Sequence, residues 1–251
     1  MTSLEHLWRP PPPALTLSSA EVHVWRAALD PAASCVEQLQ RTLSADELHR
    51  AARFRFPRDR RRFIVARGAL RDILGRYLGV PPSALGFRYN AYGKPALADV
   101  AAEGGLCFNI SHSHELALFA VTCGREVGVD IEYLRQEIAC ETIAEHFFSA
   151  HERASLRALP TEVKPQAFFN CWTRKEAYIK AHGEGLSLPL DQFDVSLAPG
   201  EPVALLATHS EPREALRWSL QALTPDPGYV AALAVEGQGW QLTCWQWRRP
   251  S

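Results

Sequence analysis

A chain of 251 residues with 47% hydrophobic content is long enough for one large domain or two modest ones, and apolar enough to bury a real core. Its 27 Lys+Arg against 28 Asp+Glu leave a net charge of −1, which argues against nucleic-acid or membrane partners held by a global positive field. The six cysteines, at 35, 107, 123, 140, 171 and 244, show no C-x-x-C or histidine-paired spacing, and no apolar run reads as a leader or a membrane span, so a reduced, cytoplasmic protein is expected.

Pro10 to Pro13 form an extended run, so residues 1–19 are expected to be a tail laid on the surface. From Glu21 to Leu29, Val22 and Val24 alternate with Glu21, His23 and Trp25, the pattern of a first strand. Ser44-Ala45-Asp46-Glu47 is a capping box that opens a helix. A longer amphipathic helix is predicted over Asp59–Leu78, with Phe63, Ala66, Leu70, Ile73, Leu74 and Tyr77 on one side and arginines on the other; Gly79 and the prolines at 81 and 82 stop it. Leu106–Ile110, Ala117–Cys123 and Val127–Glu132 read as strands separated by turn residues. A second capping box, Ser149-Ala150-His151-Glu152, precedes a long helix over Pro165–His182 that ends at Gly183. Gly228–Val235 and Trp240–Trp247 read as closing strands. Antiparallel hairpins mixed with long helices indicate an α+β fold.

Two segments carry chemistry. In Gly128-Val129-Asp130-Ile131-Glu132 the aliphatic side chains alternate with the others, so a strand aims both carboxylates at one face. In Trp172-Thr173-Arg174-Lys175-Glu176-Ala177-Tyr178-Ile179-Lys180 a helix stacks Trp172, Glu176 and Lys180 along one stripe. Three carboxylates beside a lysine suit a hard divalent cation, because magnesium takes oxygen ligands and shares its shell with phosphates. Taken singly, the same residues also fit a solvated strand face and a surface ion pair.

The order of the flanking strings joins them: Tyr92-Gly93-Lys94-Pro95, Phe108-Asn109-Ile110-Ser111-His112-Ser113, Gly128 to Glu132, Phe147-Phe148-Ser149, Trp172 to Lys180, and Gly185-Leu186-Ser187-Leu188-Pro189-Leu190. From about Leu43 to Val195 this series resembles the surfactin-type (Sfp-like) 4′-phosphopantetheinyl transferases. The resemblance implies two similar α/β halves related by a pseudo-two-fold axis, 20–123 and 124–251, with the active site in the cleft between them. No internal repeat is visible in the sequence itself. It implies coenzyme A as substrate, an acyl or peptidyl carrier protein as partner, a monomer, and magnesium held by Asp130, Glu132 and Glu176. Glu176 is the expected general base, with a metal-bound hydroxide as the alternative, and Lys180 is expected on the pyrophosphate with Lys175 nearby. Arg50, Arg62 and Arg67, with Ser111 and His112, are expected around the phosphates, and Gly93, Lys94 and Pro95 beside the adenine. Glu47 stands where some relatives carry lysine, and is expected to repel a phosphate there. His114 serves as the structural counterpart to His112. The segment Ala139–Leu159, with Phe147 and Phe148, is a candidate carrier-docking surface. Ser111 next to His112 lacks a nucleophile elbow, which argues against a serine hydrolase. A coenzyme A pyrophosphatase and a non-catalytic carrier-binding module are the rival readings.

Overall fold

The computed structural model describes residues 8–98, 105–135, 137 and 140–248. One topology occurs twice along the chain. The first copy runs β1 (Glu21–Ala28), the short helices α1 (Ala33–Gln40) and α2 (Ala45–Ala52), and the long helix α3 (Pro57–Leu78). A small ribbon of β2 (Phe87–Tyr89) and β3 (Pro95–Leu97) and the hairpin β4 (Leu106–Ser113) to β5 (Leu116–Cys123) complete it. The second copy runs β6 (Val127–Tyr133), α4 (Cys140–Phe147), α5 (Ala150–Ala158) and α6 (Lys164–His182). Its ribbon is β7 (Phe193–Val195) with β8 (Leu205–Thr208), and its hairpin is β9 (Trp218–Leu223) to β10 (Tyr229–Glu236). The sheets repeat as well, in the orders β1-β5-β4 and β6-β10-β9, all antiparallel.

The last strand, β11 (Gln241–Gln246), crosses back and pairs parallel with β1. Thus the end of segment 124–251 belongs to the sheet of segment 20–123. The tail follows it, since Arg9 bridges Trp245 and exchanges backbone bonds with Cys244 and Gln246. Residues 1–7 of the tail and 249–251 lie outside the described residues.

Alternation along the strands sorts the side chains into three cores. Trp25, Ala27, Phe119 and Val121 face α3, which contributes Ile64, Leu70, Ile73 and Leu74. Ala232 and Ala234 face α6 with Phe168, Ala177 and Tyr178. Val22, Val24, Leu118, Val129, Ile131 and Leu233 join the two sheets between them. Pro57 in the first turn starts α3 two residues before the predicted Asp59, and Gly79, at φ 66°, ends it. Strand β4 runs three residues past the predicted Ile110, because Ser111, His112 and Ser113 keep pairing with Leu118, Ala117 and Leu116.

The capping boxes do more than start helices. Glu47 Oε2 accepts from Arg71 Nε at 2.7 Å, and Glu152 Oε2 meets Lys175 Nζ at 2.8 Å. Each cation also donates to carbonyls of the loop beyond its helix: Arg71 to Pro82 and Leu85, Lys175 to Leu190 and Phe193. The same buried tie therefore locks helix, cap and loop in each half. No cysteine is disulfide-bonded, and among the described residues no helix is long and apolar enough to cross a membrane.

Candidate functional site

Strand β6 is an edge strand of its sheet and lies directly against α6. Gly128 makes the approach possible: a Cβ there would sit 2.0 Å from the Ala177 carbonyl oxygen and 2.4 Å from the Ala181 nitrogen. Asp130 and Glu132 follow on the same face and so meet the α6 stripe that carries Glu176 and Lys180.

Strand β4 closes the other side. Its alternate residues Asn109, Ser111 and Ser113 reach across to β6. Asn109 Oδ1 accepts from Val129 N at 3.0 Å, Ser111 Oγ donates to Asp130 Oδ1 at 2.8 Å, and Ser113 Oγ donates to Glu132 Oε2 at 2.8 Å. Lys180 Nζ completes the cluster, 2.6 Å from Asp130 Oδ1 and 3.0 Å from Ser111 Oγ. Sequence reasoning missed Asn109 and Ser113 as partners of the site. The signal was their period-two spacing with Ser111, readable only once the strand is known to continue.

The electrostatics mark the three carboxyls as neighbours. Burial pushes the carboxyls of Glu132 and Glu176 up, and the charge of Asp130 pushes both further; Lys180 pulls them back. Asp130 Oδ2 is buried with no hydrogen-bond partner, an acceptor that a hard cation would satisfy. The donor set thus fits magnesium chemically. Even so, among the described residues no group of three His, Cys, Asp or Glu side chains is drawn in as a metal cage.

Beside this cluster opens a cavity of about 480 Å³, lined by Arg50, Phe54, Phe63 and Arg67 from α2, α3 and the turn between them, by Ser111 and His112, by the turn Tyr92 to Pro95, and by Lys180. His112 is on the cleft wall, where the protein around it, and then the Lys180 charge, hold its imidazole below the ordinary value. His114 leaves the strand at φ 53° and stacks on Tyr133 at 4.8 Å, the structural role expected of it.

The expected phosphate cations divide. Arg50 faces the cavity with its guanidinium over Phe63. Arg67 lines it too, but is held by Glu47 and by the Tyr89 hydroxyl, and lies 4.3 Å over Phe87. Arg62 does not line the cavity; it pairs with Asp30 at 2.6 Å and Glu115 at 3.7 Å, though its charge still acts on His112. Lys175 is not near the cavity either, being fully buried on the Glu152 side of α6. The expected repulsion by Glu47 is also corrected: it is 2% exposed and shared between Arg67 and Arg71. Burial pushes its carboxyl up, but hydrogen bonds from Arg71, Ser44 and Arg67 bring it below the ordinary value. In the docking candidate Ala139–Leu159, Ala139 lies outside the described residues, Phe148 is core, and Phe147 is 40% exposed against Trp172.

Two family models match this chain: residues 27–124 match the N-terminal domain of 4′-phosphopantetheinyl transferase, and residues 126–234 match the 4′-phosphopantetheinyl transferase superfamily. The chain is 50% identical to the 4′-phosphopantetheinyl transferase HetI of Nostoc sp. over 97% of its own length and all of that protein. It is 34% identical to 4′-phosphopantetheinyl transferase psf-1 of Bacillus pumilus, over 80% of this chain and 82% of that one. With Sfp of Bacillus subtilis the identity is 30%, over 79% and 84%. The two model matches meet at the turn between β5 and β6, where the topology begins to repeat, and the chain belongs to the 4′-phosphopantetheinyl transferase superfamily.

Proposed function

We propose that this chain moves 4′-phosphopantetheine from coenzyme A to a serine hydroxyl of an acyl or peptidyl carrier protein and releases adenosine 3′,5′-bisphosphate, with magnesium as its cofactor. The observation that carries the reading is the Asp130, Ser111 and Lys180 cluster, with the raised carboxyls of Glu132 and Glu176 beside it, at the edge of a cavity lined by Arg50 and His112.

The cavity takes the nucleotide end of coenzyme A. Arg50 and His112 serve its 3′-phosphate, and Gly93, Lys94 and Pro95 border the adenine. Lys180 offers its ammonium to the pyrophosphate, where negative charge grows most in the transition state. Bound magnesium, held by Asp130, Glu132 and Glu176, would supply the remaining charge neutralisation that makes the nucleotide phosphate a good leaving group. Glu176 takes the serine proton, a task for which a carboxylate whose proton affinity is raised by burial is better suited than a free one. The serine oxygen bonds to the phosphorus next to pantetheine, the bond from that phosphorus to the bridging oxygen breaks, and its electron pair leaves with adenosine 3′,5′-bisphosphate. Both walls of the cleft come from one chain, which supports a monomer. We assign it to the cytoplasm and to the carrier domains of peptide or polyketide synthases.

Incubation with coenzyme A, magnesium and apo carrier proteins, followed by mass spectrometry of the carrier, tests the reading. A carrier gaining the mass of the arm supports it. Release of adenosine bisphosphate at the same rate without carrier would replace it with a pyrophosphatase.

A further inference from the structure

The turn between β2 and β3 belongs to the first half of the molecule, yet it is fastened to the end of α6 in the second. Asn90 uses both ends of its carboxamide. Its Oδ1 accepts from Tyr92 N at 3.0 Å and Lys94 N at 2.9 Å, which shapes the turn. Its Nδ2 donates to the Gly183 carbonyl of the second half at 2.6 Å. Lys94 adds a second tie: its Nζ donates to the Ala181 carbonyl at 2.8 Å and pairs with Glu126 at 2.8 Å.

These are the carbonyls a helix leaves without intrahelical partners at its C-terminus, where a cation is favoured. Gly183 caps α6 at φ 77°, and a Cβ there would press within 2.9 Å of Lys94 Cδ. The Lys94 and Asn90 side chains therefore pack directly on the C-terminus of α6. The turn, Gly183 and Lys180, three residues before it on α6, all line the cavity.

We propose that Asn90 is a positioning residue which, together with Lys94, latches the β2–β3 turn to the C-terminus of α6 and so sets the width of the nucleotide cleft. Lys94 then acts through its ammonium on α6 rather than on a ligand. Only the effect on coenzyme A rests on the function proposed above; the latch itself is a property of the free protein.

The test compares the full chain with Asn90→Asp and Asn90→Ala. The aspartate keeps acceptors for Tyr92 N and Lys94 N but puts an anion where Nδ2 donated to Gly183, so it preserves the turn and cuts the latch. In the unliganded protein, hydrogen exchange across 179–185 is expected to quicken about tenfold in Asn90→Asp while the amides of Tyr92 and Lys94 stay protected. Unchanged exchange across 179–185 would overturn the latch. With coenzyme A, both variants are expected to raise KM about three- to tenfold while kcat stays within about twofold. Recovery of the original KM by Asn90→Asp but not by Asn90→Ala would reduce Asn90 to a turn cap, and a fall in kcat at constant KM would also overturn the proposal. An unmodified protein that neither binds nor consumes coenzyme A would instead count against the proposed function, and the exchange measurement would still decide the latch.

Discussion

Asp130 holds one carboxylate oxygen between Lys180 and Ser111 and leaves the other buried without a partner. Its backbone remains in the β6–β10 ladder whatever its side chain, so Asp130→Ala is expected to keep the fold and lower transfer about 10²-fold or more. Far-ultraviolet circular dichroism beside a single-turnover assay checks both halves of that statement. Glu176 invites the opposite stability result. Its carboxyl is raised by burial and by Asp130 and Glu132, so the folded state holds its proton at a higher pH than the unfolded chain does. Above that raised value the charge opposes folding, and acidification relieves it. Glu176→Gln is accordingly expected to raise the Tm of the free protein at pH 7.5, while shrinking the Tm increase that magnesium with coenzyme A gives the unmodified chain. A free-protein Tm lowered by the substitution would show that the cluster is not in mutual repulsion.

At the scale of elements, β6 and α6 touch through a glycine, and each half is tied by a buried glutamate that pairs with a cation of its long helix. Gly128→Ala would drive a methyl into the α6 backbone, which unlike a side-chain tip has no free space to move into. A loss of about 1–3 kcal/mol or more is expected in denaturant titration, with activity lost in the same variant because Asp130 retreats from Lys180. For the pair Glu152 and Lys175, both fully buried, Lys175→Met is expected to cost about 3–5 kcal/mol. Pairing it with Glu152→Leu should recover only part of that. The carboxylate also accepts from Ser149 N and Val195 N, and the ammonium also serves two carbonyls, so the double variant strands backbone groups as well.

For the whole molecule, groups outside the cleft add their own dependence of stability on pH. His23 is pushed by burial below its ordinary 6.5, so the unfolded chain protonates first and stability declines as pH falls below about 6.5. Glu47, Asp194 and Glu236 sit below their ordinary 4.5, 3.8 and 4.5. For the first two, burial opposes the shift and hydrogen bonds from Arg71 and Ser149 prevail; for Glu236 the bond from Arg217 is the main cause. Their contribution is complete above those ordinary values and is lost as pH falls through the folded ones. Two acid legs are therefore expected in urea titrations taken between pH 7.5 and 3.5, the first flattened by His23→Gln. A first leg as steep in His23→Gln as in the unmodified chain would remove His23 from the account.

Local signals were enough for the sequence to determine much of this protein. The period-two run around Asp130, the four-residue stripe Trp172, Glu176 and Lys180, the two capping boxes and the glycine stops at 79 and 183 all depend on near neighbours, and the structure keeps each of them. What tertiary structure alone decided is which side of an element a charge serves. Lys175 and Glu176 are adjacent in sequence, yet helical rotation sends one to Glu152 in the core and the other to the carboxylate cluster. The sequence puts Arg62 among the phosphate cations and Glu47 in repulsion of a phosphate, whereas Asp30 and Glu115 pair with the first and Arg67 and Arg71 with the second, all distant in the chain. The repeat was hidden for the same reason. Its two halves share topology and a glutamate-to-cation tie, but arginine does in one what lysine does in the other, and such an equivalence exists only between positions in space.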